Sequence, residues 1–238
     1  MHTGRRTFLG AALASGTLAL AGGRAAAQVG FYDMLRAAIA LGRRLRRGEI
    51  TPLDWQDAIG STLRSCPADE IWDALRVEEL RRRMPAPRRG ASIVRVPLYE
   101  QLGAEEGGVM RLFFFEAGRG DPPHCHFNQV TAHIVLSGRF RVRHYERLRE
   151  DPGGFVLLPS HDRVIDVGDV TSISELRDNA HWHHALTRGV LLDVEQGRLD
   201  PSIPIRRREM VDLEGAPLAD GSIAAPRIER ARALRLYG

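Results

Sequence analysis

Eight of the nine histidines in this 238-residue sequence fall between positions 124 and 184. Imidazole changes charge near neutral pH and is the commonest transition-metal ligand, so the clustering calls for a chemical reading. The sharpest unit is Gly120-Asp121-Pro122-Pro123-His124-Cys125-His126. On an extended chain, alternate side chains share a face, so His124 and His126 present their rings to one ion. Cys125 then points the other way, into packing, and a Cys66–Cys125 disulfide is not expected. The second unit is Val167-Gly168-Asp169-Val170, followed by Asn179-Ala180-His181-Trp182-His183-His184.

Together these units resemble the two motifs of the cupin superfamily. The first such motif runs glycine, His-x-His, glutamate and a closing glycine; the second runs Gly-Asp, then a histidine often followed by Trp. The resemblance covers about residues 120–187, and about 92–201 with the surrounding strands. It implies a mainly β fold, a cupin-type jelly-roll barrel with a metal at its centre, commonly in a homodimer. It also implies His124, His126 and His181 as the metal ligands.

The sequence departs from that pattern in useful ways. Counting back seven from Gly138, the usual glutamate position holds Thr131. His133 lies two residues along the same strand face and reads as a substitute ligand or a catalytic proton-transfer group. Arg177-Asp178-Asn179 stands where the second motif carries its proline, and the stretch between Gly138 and Gly168 holds an extra strand or loop around residues 146–162. His183 shares the face of His181 and reads as structural, while His144, His161 and His184 read as surface or packing residues.

Three neutral imidazoles without a carboxylate leave a divalent ion nearly uncompensated, which favours an anionic, often bidentate, substrate. All-histidine sites of this kind are similar to those of thiol dioxygenases and some diketone- or ring-cleaving dioxygenases, where iron(II) binds substrate and oxygen. The Ser-His-Tyr relay of the thiol dioxygenases is not found in its usual spacing. Imidazole also suits Zn, Ni and Cu, so ligand type alone does not choose the metal.

The elements that must hold these residues are legible in outline. Phe31, Met34, Leu35, Ala38, Leu41 and Leu45 recur at helical spacing, with Gly48 as a stop. Thr51-Pro52-Leu53-Asp54 reads as a cap opening a second helix with Trp55, Ile59 and Leu63 on one face. A third is expected over 67–83, with Ile71, Trp72, Leu75 and Leu80 inward. From Ser92 short β-rich runs appear at 93–96, 112–115, 130–136, 140–145, 155–158, 164–167, 170–173 and 190–194, with turn residues between them, as in a sandwich or barrel. No strand–long helix–strand alternation is present, which excludes a Rossmann-like or (β/α)8 reading. Phe113, Phe115, Phe140 and Val142 are expected to line the barrel, with Arg141 and Arg143 facing outward and Arg111 a candidate for a substrate carboxylate.

Hydrophobic residues at 43% and charged residues at 27% exclude collagen-like and wholly disordered classes. All 34 cations are Arg, against 30 acids, for a formal charge of +4. Part of that excess is positional. Gly4-Arg5-Arg6-Thr7-Phe8-Leu9-Gly10 resembles the twin-arginine (Tat) export motif; the apolar stretch 8–22 and Ala25-Ala26-Ala27 complete a signal peptide over 1–27. That stretch is shorter than the ~20 residues of a membrane span. Removing 1–27 takes away Arg5, Arg6 and Arg24 and no acid, leaving 31 basic and 30 acidic side chains. Nucleic acid is therefore not expected as a partner.

The expected organisation is a signal peptide (1–27), a helical segment (28–90), a jelly-roll domain (91–203) and a tail (204–238) that wraps the barrel or a dimer. The expected function is that of an exported, periplasmic or extracellular, non-haem iron(II) dioxygenase acting on a small anionic organic molecule. The alternatives are a non-redox enzyme (isomerase, lyase or hydrolase) using Zn, Mn or Ni, and a non-catalytic small-molecule-binding module.

Overall fold

The short alternating runs build two antiparallel sheets. The computed structural model describes residues 30–204 and 208–238, and the expected export segment, 1–27, lies outside the described residues. The first sheet has the order β1 (Ser92–Arg95), β2 (Gly108–Phe115), β9 (Gly189–Gly197), β4 (Gln129–Ser137) and β7 (Val170–Ile173). The second has β10 (Glu209–Met210), β3 (Gly120–Cys125), β8 (Ala180–Ala185), β5 (Phe140–Asp151), β6 (Gly154–Ile165), β12 (Ile223–Pro226) and β11 (Ala216–Pro217). From β2 to β9 the chain changes sheet at every connection except the β5–β6 hairpin. First strand pairs with last (β2 with β9) and second with seventh (β3 with β8). That winding is the jelly roll, so the fold is mainly β, a jelly-roll barrel with an N-terminal helical segment.

Alternation decides which side chains enter the barrel. On β2 and β9, Met110, Leu112, Phe114, Val190, Leu192 and Val194 point outward, yet they are buried. The helical segment covers them. Residues 30–46 form α1, followed by α2 (Pro52–Arg64), α3 (Ala68–Ala74), α4 (Val77–Arg83) and α5 (Leu98–Gln101). Thr51 and Asp54 cap α2 reciprocally, with Pro52 in its first turn. Trp55, Ile59 and Leu63 bury against the sheet, and Gln56 Nε2 donates to the Ser172 carbonyl of β7 at 2.8 Å.

The third expected helix is in fact two. Arg76 adopts a left-handed φ of 51° between α3 and α4. Ile71 and Val77 are both fully buried, yet on a straight helix they would stand about 120° apart around the axis. The break turns both to the core. The runs at 155–158 and 164–167 are likewise one strand, β6, and the residues around 146–162 lengthen the β5–β6 hairpin instead of adding a separate element. Ser160 is the extra residue where the register slips from His144↔His161 to Tyr145↔Pro159, and such a bulge tolerates the proline.

The tail adds β10 to the edge of β3 and β12 to the edge of β6, then packs α6 (Arg230–Tyr237) beside β3. Gly138, at φ +82°, turns β4 into β5, where a Cβ would meet the Arg188 carbonyl oxygen at 2.5 Å. Among the described residues no helix is long and apolar enough to cross a membrane.

Candidate metal centre

The barrel interior has two unlike ends. At one end Phe113, Phe115, Val135, Phe140, Val142 and Leu191 pack together. At the other, strands from both sheets bring six buried histidines together: His124 and His126, His133, His144, His181 and His183. Strand register explains the gathering. His124 and His144 are the cross-strand partners of His181 on its two sides, and His133 is the partner of Asp193.

His124, His126 and His181 converge. Their Nε2 atoms lie 2.8 Å (124–126), 3.1 Å (126–181) and 3.1 Å (124–181) apart. Nδ1 of His124 donates to the Pro122 carbonyl at 2.7 Å. A carbonyl only accepts, so this bond places the proton on Nδ1 and leaves Nε2 a lone pair. Nε2 of the Gln129 side-chain amide contacts Nδ1 of His126; the amide turned end for end would set its oxygen there to accept a proton from Nδ1. Burial holds His124 below the ordinary imidazole range and His126 and His181 well below it, with neighbouring histidines and Arg208 adding to the effect for His126. Neutral imidazole is the form that binds metal.

These donors fit a divalent ion. Three buried ring nitrogens converge on one point, and in their neutral forms with the proton on Nδ1, as the Pro122 carbonyl fixes it for His124, each would turn a lone pair toward a positive charge there. The three Nε2 atoms, 2.8–3.1 Å apart, are close enough together that one ion would be held by all of them.

His133 sits beside the tripod, its ring 5.3 Å from that of His181 and 4.6 Å from that of His183. Burial holds both His133 and His183 well below the usual imidazole range. Nε2 of His133 lies 3.4 Å from Oδ1 of Asp193. That oxygen also accepts from Thr131 Oγ1 at 2.5 Å, and Oδ2 accepts from Arg111 at 2.9 Å. Arg111 further binds Glu195, as does Arg208. Nδ1 of His133 and Nδ1 of His181 have no hydrogen-bond partner among the described residues.

A cleft of about 870 Å³ opens beside this end of the barrel. Its inner wall includes Arg111, Phe113, Pro122, Glu195 and Arg208, and its outer wall comes from the tail. Arg141 and Arg143 face away from the barrel interior and bind Asp162. Cys66 and Cys125 are both buried and no disulfide joins them. His161 is exposed and His184 half-buried. His144, by contrast, lies inside the barrel, its Nδ1 3.5 Å from Oδ2 of Asp178.

Two site features are absent from the sequence reading. Asp193 and Glu195 are acids at alternate positions in an otherwise apolar strand, a pattern that marks a polar patch on one face. Gln129 carries no such signal, because its role depends on the turn that follows His126.

Fold and site together define a jelly-roll protein with a buried histidine tripod suited to a metal ion. The sequence matches no protein-family model and none of the curated proteins compared with it. Solved structures similar to it include oxalate oxidase in complex with the substrate analogue glycolate, at 18% identity and TM-score 0.37 over 49% of this chain and 55% of that one. Others are KdgF from Halomonas sp., at 18% identity and TM-score 0.34 over 48% and 84%, and a cupin superfamily protein from Desulfitobacterium hafniense, at 13% and 0.34 over 48% and 84%. The chain spans about half of the oxalate oxidase chain it matches. Likenesses this distant carry no argument about chemistry; the strand order and the tripod stand on the chain's own geometry.

Proposed function

We propose that this chain is a metal-dependent enzyme in which His124, His126 and His181 hold one divalent ion, iron(II) by preference, and that it oxygenates a small anionic organic substrate. The observation that carries the reading is the convergence of three buried Nε2 atoms at 2.8–3.1 Å. A bound ion would polarise an anionic substrate and supply open positions for it and for oxygen.

The chain's own residues account for the rest. Asp193 is tied to Arg111 and Thr131, so the tripod lacks a carboxylate of its own and the anion preference stands. Pro122 and Gln129 fix the ring orientations of His124 and His126. Phe113 and its apolar neighbours exclude water from one end of the barrel. His133, with Nε2 toward Asp193 and Nδ1 without a partner among the described residues, would act as the catalytic residue by accepting a proton.

That last arrangement also favours a second reading, a non-redox isomerase, lyase or hydrolase in which Zn, Mn or Ni acts as a Lewis acid and His133 as the base. Export and a homodimeric state remain part of the proposal, the first on the residues 1–27 signal alone. Elemental analysis of protein from its native compartment, followed by oxygen uptake with small carboxylates, diketones and thiols, tests the assignment. Iron with substrate-dependent uptake supports it; zinc, manganese or nickel with turnover but no uptake moves it to the second reading.

A further inference from the structure

The tripod does not use all the buried donors at its end of the barrel. His133, His181 and His183 form a second group in which one donor atom from each ring lies within 4.8 Å of the others, all three side chains being buried. We propose that the barrel offers one divalent ion two overlapping positions that share His181: the tripod with His124 and His126, and a second position with His133 and His183.

Three observations carry this. First, the spare nitrogens exist. Nδ1 of His133 and Nδ1 of His181 are buried without a hydrogen-bond partner among the described residues, and a buried polar atom is costly to leave unsatisfied. An apolar side chain would fill the same space more cheaply, as it does at the phenylalanine end. Second, a carboxylate stands beside the second position. Oδ1 of Asp193 lies 3.4 Å from Nε2 of His133, close enough to offset part of an ion's charge. Third, ring positions suit a shared ligand, since His181 lies 4.8 Å from His183 and 5.3 Å from His133, centroid to centroid.

Single occupancy follows from charge. Two dications a few ångströms apart would face neutral imidazoles and one carboxylate already paired with Arg111, and their mutual repulsion scales with a charge product of four. The tripod, whose three Nε2 atoms lie within 2.8–3.1 Å of one another, is the favoured position, and the second position fills when the tripod is weakened. The ions it suits are those that take imidazole, such as Cu, Zn, Ni and Fe.

The proposal rests on the barrel being the metal site, and its test separates the two ideas. Copper(II) is added to the full-length protein, and bound copper is counted by elemental analysis after desalting. The His124→Ala/His126→Ala variant is expected to keep close to one copper per chain with affinity reduced about 10- to 1000-fold. Adding His133→Ala and His183→Ala to it should abolish binding. If wild type binds copper but the double variant binds no more than the quadruple one, the second position is refuted and the tripod stands. If wild type binds none, both fall. The single variant His124→Ala serves if the double variant does not fold. Pulsed electron paramagnetic resonance should count three coordinated imidazoles on its copper, and a count of two overturns the proposal.

Discussion

Asp193 and His133 face each other across the β9–β4 ladder, with Oδ1 of the aspartate 3.4 Å from Nε2 of the histidine. The same oxygen accepts the hydroxyl of Thr131 from β4. On this face β4 contributes a hydroxyl, and β9 supplies the acid. Its charge is balanced by Arg111 on β2, the neighbour of β9 on the other side. Three adjacent strands therefore share one buried polar network beside the histidines.

That network gives a graded prediction. Asp193→Asn keeps the shape but removes the charge that Arg111 and Thr131 address, and Asp193 is fully buried. Hydrogen bonds to charged groups and broken buried pairs place the loss at about 2–4 kcal/mol. Thr131→Val should lose about 1 kcal/mol, because one hydrogen bond goes and the ion pair stays. Urea unfolding of the metal-free forms measures both. Equal losses would show that the charge of Asp193 contributes nothing beyond its hydrogen bonds.

Gln129→Leu should weaken metal binding about 10- to 100-fold while leaving the barrel folded, because groups that orient a ligating imidazole carry effects of that size. The side chain contacts Nδ1 of His126, and leucine offers nothing there. Competition against a chelator of known affinity reads the change. Unaltered affinity would mean that the backbone alone holds the His126 ring.

Part of this architecture was legible in the sequence because its signals are local. Thr51-Pro52-Leu53-Asp54 specifies a helix start from four residues, and His124 with His126 declares a shared face by spacing alone. The break at Arg76 was not legible: it arises because Ile71 and Val77 must both reach the core, a demand set by tertiary packing. The inward place of His144 was hidden for a similar reason. It follows from pairing with His181 on another strand, and register between distant strands has no mark in either segment. Asp193 lay between, its alternation with Glu195 visible and its partners not.

The helical segment is integral to the barrel, and a truncation inside it measures how much. Ile59 is fully buried between α2 and the five-stranded sheet, and Ser172 Oγ donates to the Gln56 carbonyl at 3.2 Å beside it. Ile59→Ala should cost about 2–5 kcal/mol, the transfer term plus the cavity left by a well-packed neighbourhood. A single unfolding transition shifted by that amount is expected. Two separate transitions, with the β-sheet signal unmoved, would instead show that the helices fold as an independent unit.

Acid should destabilise the metal-free protein through its histidines. Burial holds His124 below its ordinary value and His126, His133, His181 and His183 well below theirs. In the unfolded chain these groups titrate near pH 6.5. Well above that value both states carry neutral rings, so the depressed values cost nothing. As the pH falls through about 6.5, the unfolded chain takes up protons that the folded barrel refuses. More protons are then bound in the unfolded state, and stability drops with the pH. Each histidine held well below its ordinary value contributes about 1.4 kcal/mol per pH unit, so the four of that kind contribute about 6 kcal/mol per unit until their folded values are reached, with a smaller share from His124. Urea midpoints should be flat between pH 8 and 7 and fall steeply from 6.5 to 5, and His183→Phe should reduce the slope by roughly one-fifth. A bound ion moves the loss to lower pH at saturating metal, since occupied nitrogens no longer accept protons and the ion binds only the folded barrel. Midpoints of the metal-free protein that stay level down to pH 5 would show that the rings are solvated, in conflict with their burial.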